Sequence, residues 1–300
     1  MTAFSPAMPA TPPRFEDSGH RFDAERRWAA SLELGFDARA DGHTRLARAR
    51  HQGPLRVQRP FYPEGGAEAC HVYLLHPPGG VVSGDSLNID VEVAAGARAL
   101  LTTPAANKLY RADSHAVTWE QNTRLRVEDD AILEWLPQET IAFDGSRGRQ
   151  TTTIELSDQA RCLGWEVLAL GRPASDLPFA SGCLEQRFHL TRAGRPLWLE
   201  RQPLEPEHPR FGGYWGQGGA TVQASLWTVG LDDADDAITA LRDGLTASPR
   251  WAVTLRNDVL LLRYLGDSRN EAWELCRRAW EILRPRLAGR EAREPRIWRT

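Results

Sequence analysis

The chain has 300 residues, 41% hydrophobic and 26% charged, with a formal net charge of −3. That is enough apolar surface for a sizeable core, in one large domain or two closely joined ones. The balanced charge gives no electrostatic footprint for nucleic acid or an acidic membrane surface, and no apolar run approaches the roughly 20 residues that span a bilayer.

Residues 1–25 open with MTAFSPAMPATPPRFEDSGH. They are rich in Pro, Ala and Ser and lack a basic n-region and an apolar h-region, so they read as a disordered leader rather than a secretory signal. Residues 26–290 are expected to form one β-rich domain. Trp28 to Ala40 and Thr44 to Arg50 make a hairpin about Asp41-Gly42, a strong turn pair. Leu55 to Arg59 and Ala69 to Leu75 continue as strands. From His76 to Asp144 the pattern sharpens: a Pro-Pro-Gly-Gly corner, then Leu87, Ile89, Val91 and Val93 alternating with polar residues, with a break at Gly96. A polar knot, Thr102 to Lys108, interrupts the strands, which resume at Ile132 to Leu136 and close on Pro137-Gln138-Glu139-Thr140-Ile141. Period-two alternation with Gly and Pro punctuation predicts antiparallel β structure.

Gln150 to Leu156, Arg161 to Leu170, Cys183 to Arg192 and Pro196 to Arg201 extend the strand series. Gln202 to Gly219 reads as a long irregular loop with aromatic tips, and Ala220 to Val229 as a strand. Even spacing allows a solenoid-like stack of strands. Helices come late. Asp233 to Leu245 has one apolar face and acids in its first turn. Trp251 to Arg256 is a strand, whereas 257–265 is apolar and fits helix or strand. Ser268-Arg269-Asn270-Glu271 is a capping box opening a helix to about Leu283, ended by Pro285. Trp273 and Trp280 flank its apolar stripe, as core edge or as a partner-facing surface.

The candidate chemistry is sparse. Cys70, Cys162, Cys183 and Cys276 lack CxxC spacing and read as free thiols in a reducing cytosol. Cys70 and His76 are six residues apart on one strand, about 20 Å, too far to share an ion. No HExxH or CxxC appears, which disfavours a closed metal site, and weak Ni²⁺ binding by carboxylates and single imidazoles is what remains. Ser83 is a turn serine outside any nucleophile elbow. No phosphate loop occurs. Asp85, Glu134, Glu139, Asp144 and Glu166 lie on or beside apolar strands. Glu134 shares parity with Ile132 and Leu136, so it points toward an apolar face and needs a partner there. Arg172 poses the same problem with opposite sign. Of 37 basic residues only Lys108 is lysine, and it sits in the polar knot, where a compact, readily tuned ammonium differs from a guanidinium.

The motifs PPGGVVSGD, ALLTTPAANKLYR, LEWLPQETIAF and GWEVLALGRPA resemble, in order and spacing, the urease accessory proteins of the UreD (UreH) family, over roughly Arg26 to Pro285. The departures are Ser83 where the family usually has Gly, and Asn107 and Leu109 in its AATKFYR motif. The resemblance implies a mainly β fold, a helical stack of strands with two or so C-terminal helices. It implies a cytoplasmic, non-catalytic maturation factor with no tightly bound cofactor, which links apo-urease to the UreF accessory protein and, through UreF, to the GTPase UreG. That assembly delivers nickel to urease, and a transient Ni²⁺ route through the chain is implied as well. Asp85, Thr103, Lys108, Glu134, Gln138, Glu139, Glu166 and Arg172 are then expected to form or brace a polar interior. Tyr214, Trp215, Trp273 and Trp280 are candidate partner surfaces. The rival reading is a β-solenoid hydrolase working through Asp85 and Glu139.

Overall fold

The structure, a computed structural model, describes residues 27–65 and 69–299; the leader expected over residues 1–25 lies outside them. The chain opens with the expected hairpin, β1 (Trp28–Ala38) and β2 (Thr44–Gln52), antiparallel across Asp41-Gly42. Gly42 has φ 82°, which a tight turn needs and glycine adopts freely. Then come β3 (Arg56–Val57) and β4 (Cys70–Leu75), followed by β5 (Asp85–Val93) and β6 (Arg98–Thr102) on either side of Gly96. The polar knot leads into β7 (Asn107–Leu109), then β8 (Trp119–Val127), β9 (Ile132–Leu136) and β10 (Thr140–Ala142). β11 (Arg147–Leu156), β12 (Arg161–Arg172), β13 (Leu177–Pro178), β14 (Cys183–Arg192) and β15 (Arg195–Leu204) follow. The aromatic loop is irregular apart from one helical turn, α1 (Pro209–Gly212). The remainder is β16 (Val222–Val229), α2 (Ala234–Gly244), β17 (Trp251–Arg256), β18 (Val259–Gly266) and α3 (Arg269–Ala288). The ambiguous segment 257–265 is therefore strand.

From β4 to β16 the chain passes back and forth between two open sheets. One has the order β15-β14-β11-β8-β5-β1-β2, and the other runs β17-β18-β16-β12-β9-β6-β4-β3, with β10, β13 and β7 branching from it. Each passage sets a new strand beside the previous one in the same direction, so β1, β5, β8, β11 and β14 are parallel neighbours, as are β4, β6, β9 and β12. The antiparallel expectation holds only for the hairpins and the late strands. Alternation reports that one face of a strand is buried; it carries no information on the direction of the neighbour. The first sheet keeps one face in solvent and so alternates although it is parallel, as in β5. The second is covered on both faces, and β9 is buried at every residue.

Three layers result. Leu32, Val72, Val91, Leu101, Leu125 and Ile154 fill the space between the sheets. Leu163, Trp165, Leu226 and Leu262 on the far face of the second sheet meet Leu241, Cys276, Ala279 and Leu283 of α2 and α3. Asp233 caps α2 and Ser268 caps α3, each accepting from the amide three residues on. α3 does not stop before Pro285 as expected. The ring removes one amide near the helix end, the buried stripe continues to Leu287, and Gly289, at φ 66°, ends the helix with its N–H on the Pro285 carbonyl. Trp280 is wholly buried in this layer, and half-buried Trp273 packs edge-on against Trp165 and Trp298, so both serve the core rather than a partner surface.

One close approach gives a test of this packing. At Gly148 on β11 an added Cβ would lie 2.3 Å from the buried Trp119 ring and 2.4 Å from its carbonyl oxygen. Gly148→Ala should cost about 1–3 kcal/mol of stability, read as a lower urea midpoint at unchanged m-value.

Candidate functional site

The layer between the sheets is apolar over most of its extent, but a polar band crosses it between β8 and β15. Register explains the band. On β14, Leu184, Gln186, Phe188 and Leu190 share one face, and Gln186 interrupts an otherwise apolar stripe. Across the first sheet Gln186 is level with Gln150 on one side and Gln202 on the other, and Gln150 is level with Gln121. The neighbouring row is Thr123, Thr152, Phe188 and Glu200. Facing them on the second sheet, Glu166, Ser225 and Arg263 form a row across β12, β16 and β18.

Hydrogen bonds join these rows into a corridor that crosses the strands. Asn107 donates to Gln121 at 2.9 Å, and Gln186 donates to Gln150 at 3.2 Å. Gln223 donates to both Gln186 and Gln202, at 2.7 Å each. Thr152 donates to the Glu166 carboxylate across the gap between the sheets. Two cavities lie along this line. The larger, about 160 Å³, is lined by His76, Thr103, Lys108, Gln121, Gln138 and Glu166 among others. The smaller, about 30 Å³, is lined by Glu166, Gln186, Glu200, Gln202, Gln223 and Ser225. The two meet at Glu166 and Gln186. The larger has room for several waters, and the amide and hydroxyl groups set among its largely apolar walls can hold them.

Four of the expected residues meet in the larger cavity. The polar knot forms its rim, with Thr103 accepting from the Gln138 amide at 2.8 Å and Lys108 half-buried on β7. Among the described residues no carboxylate pairs with Lys108. Glu166 stands where the cavities join, and burial pushes its carboxyl up to about 7, opposed by the Thr152 hydroxyl and aided by the charge of Glu200. Near neutral pH it is therefore poised between acid and carboxylate, and a cation beside it would favour the carboxylate.

The other four lie elsewhere. Asp85 is buried behind the Pro-Pro-Gly-Gly corner, accepting from the Val82 amide at 2.9 Å. Burial raises its pKa against the pull of Val82 and His76, while burial lowers that of His76. Glu134 does point into apolar surroundings, but toward the helices. It accepts from Trp280 Nε1 at 2.6 Å and from Arg284 Nε at 2.9 Å, and Arg284 in turn holds Glu64. Glu139 pairs with Arg269 at the start of α3, at 3.2 Å. Arg172 stacks over the Phe143 ring at 4.4 Å, in a separate cleft with Arg111 and Asp144. Asp85 and Glu139, the pair a hydrolase would need, both lie outside the cavity lining. Tyr214 and Trp215 are 99% and 78% exposed at the tip of the aromatic loop.

Sequence reasoning missed His76 as a cavity residue, and with it Asn107, Gln121, Gln150, Gln186, Gln202, Gln223 and Glu200. The available signal was a polar residue on the buried parity of a strand, as at Gln186 between Leu184 and Phe188. Among the described residues no three His, Cys, Asp or Glu side chains gather as a metal-holding group, and no helix is long and apolar enough to cross a membrane.

The UreD urease accessory protein family model matches residues 29–299. The chain is 71% identical over 287 residues to the urease accessory protein UreD of Marinobacter nauticus, which covers 94% of this chain and 96% of that protein. The corresponding protein of Chromohalobacter salexigens is 68% identical over 290 residues, covering 94% and 92%. That of Hahella chejuensis is 44% identical over 289 residues, covering 92% and 91%.

Proposed function

The chain belongs to the UreD urease accessory protein family, and on that premise we propose that it is a non-catalytic, cytoplasmic maturation factor for urease. It bridges apo-urease and the UreF accessory protein, which in turn carries the GTPase UreG, and a nickel ion passes through it by way of the polar corridor. The passage of consecutive strands between two sheets, each laid beside the last, supports reading the fold as a helical stack, with the corridor running along the stack.

The corridor is the observation that carries this reading. A purely structural interior would be filled with apolar side chains, since unneeded buried amides gain nothing in stability. Here six glutamines, four threonines and two glutamates line two adjoining, wettable cavities. Amides, hydroxyls and a part-protonated carboxylate are weak oxygen ligands that suit exchange over retention, and binding too tight would stop transit. Lys108 at the rim is a movable positive charge, suited to repelling a second cation or releasing the first. The exposed Tyr214 and Trp215 are candidates for partner contact.

Producing apo-urease with UreF and UreG, with and without this chain, tests the role. Activity and bound nickel should both be lost only when the chain is left out. Urease fully loaded with nickel in its absence would refute the maturation role.

A further inference from the structure

The corridor ends at an ion pair that transit does not explain. On the second sheet the row Glu166, Ser225, Arg263 reaches β18, and on the first the row Thr152, Phe188, Glu200 reaches β15. Where the rows finish, Arg263 closes on Glu200 with both amino groups, Nη1 donating to Oε1 at 3.0 Å and Nη2 to Oε2. Glu200 also accepts from Trp198 Nε1 at 2.9 Å and from Gln202 Nε2 at 2.7 Å, and the guanidinium stands 5.3 Å from the Trp198 ring centroid. The burial is lopsided: the Glu200 side chain is 19% exposed and that of Arg263 is 41% exposed. Glu200 therefore belongs to the interior, whereas Arg263 reaches it from the rim.

We propose that Arg263 is a latch, a tethered cation that occupies Glu200 and closes the β18 end of the corridor until it is displaced. The proposal rests on the passage reading and adds its regulation. A planar guanidinium held bidentately and braced against Trp198 is a well-fixed plug. The same pair is open to solvent on its Arg263 side, so its net strength is modest and opening is within thermal reach. A divalent cation arriving beside Glu200 attracts the carboxylate with twice the charge of the guanidinium, so occupancy of the corridor itself favours opening. An arginine, permanently charged, keeps the latch set at every physiological pH, which a histidine would not.

The test uses the full chain carrying Ser225→Cys, whose thiol would face the smaller cavity behind the pair. Its reaction with a small cationic thiol reagent is followed by the mass of its own peptide, which separates it from the four native cysteines. Adding Arg263→Gln or Glu200→Gln should speed modification about tenfold, and the two together should be no faster than either, since each breaks the same contact. Rates unchanged by both substitutions, or a double variant showing the product of the single effects, would overturn the latch. Should a variant fail to keep the wild-type circular dichroism spectrum, the ionic-strength dependence of the Ser225→Cys chain alone decides. Acceleration toward about 1 M salt supports an ion-pair closure, and a flat response contradicts it. Neither nickel nor urease enters this assay. It can fail while the passage stands, and failure of nickel delivery through the corridor leaves its result intact.

Discussion

Arg284→Met should lower the stability of the protein by about 3–5 kcal/mol, since removing one partner strands a buried charge. Arg284 is 1% exposed and lies between Glu134, at 2%, and Glu64, at 6%. It ties α3 to β9 and to the segment before β4, and its Nη1 also donates to the Glu291 carbonyl at 2.6 Å. The methionine keeps the volume but leaves two carboxylates without their shared cation. The thermal midpoint should fall by roughly 10 °C. Adding Glu134→Gln should restore part of the loss, because the amide removes one stranded charge and still accepts from Trp280 Nε1. A single variant that melts with wild type would refute this account of the network. The pH dependence has a definite sign. Burial raises Glu64, yet its bonds to His71 and Arg284 outweigh that and hold its carboxyl below the usual range. Its contribution is present above the unfolded pKa, near 4.3, and is lost as pH falls through the lower folded value.

Glu166→Gln should have the opposite effect, growing as pH rises from about 4.5 and reaching its full size near and above neutrality. The folded carboxyl titrates at about 7 rather than 4.5. Its favourable protonated state is fully present below about 4.5, and the advantage is lost as pH rises through 7. At pH 8 the wild type therefore holds a charge it would rather not, at a cost of about 1–3 kcal/mol, with the lower figure applying where cavity water solvates the carboxylate. The glutamine removes that cost and can still accept from Thr152. Thermal midpoints of the two proteins should coincide at pH 4.5 and separate at pH 8 with the variant higher; equal midpoints at both would place Glu166 in open solvent. A site that is less stable than it need be at working pH is expected where a charge is held for function.

How far the sequence reveals this can be judged from particular residues. Strand positions were legible because one buried face imposes alternation, and the inward turn of Glu134 followed from its parity with Ile132 and Leu136. Which layer it faces was not legible, since a fully buried strand has two inner faces. Arg284 had a signal that went unused: a charge on the apolar stripe of α3, opposite in sign to an inward Glu134. Lys108 stood out by composition and does line the cavity. The glutamines of the corridor lie on separate strands from Gln121 to Gln223, and become a row only when parallel register sets Gln150 level with both Gln121 and Gln186. That register is created by the passage of the chain between two sheets, a long-range property that no local window contains.

The most direct measurement is the nickel content of urease matured with the Glu166→Gln chain, with recovery of the whole accessory complex followed in parallel. Passage through the corridor predicts an intact complex, urease with severalfold less nickel than wild type provides, and activity reduced in proportion. Urease fully loaded by the variant complex would contradict the passage and leave the chain a scaffold that nickel never enters.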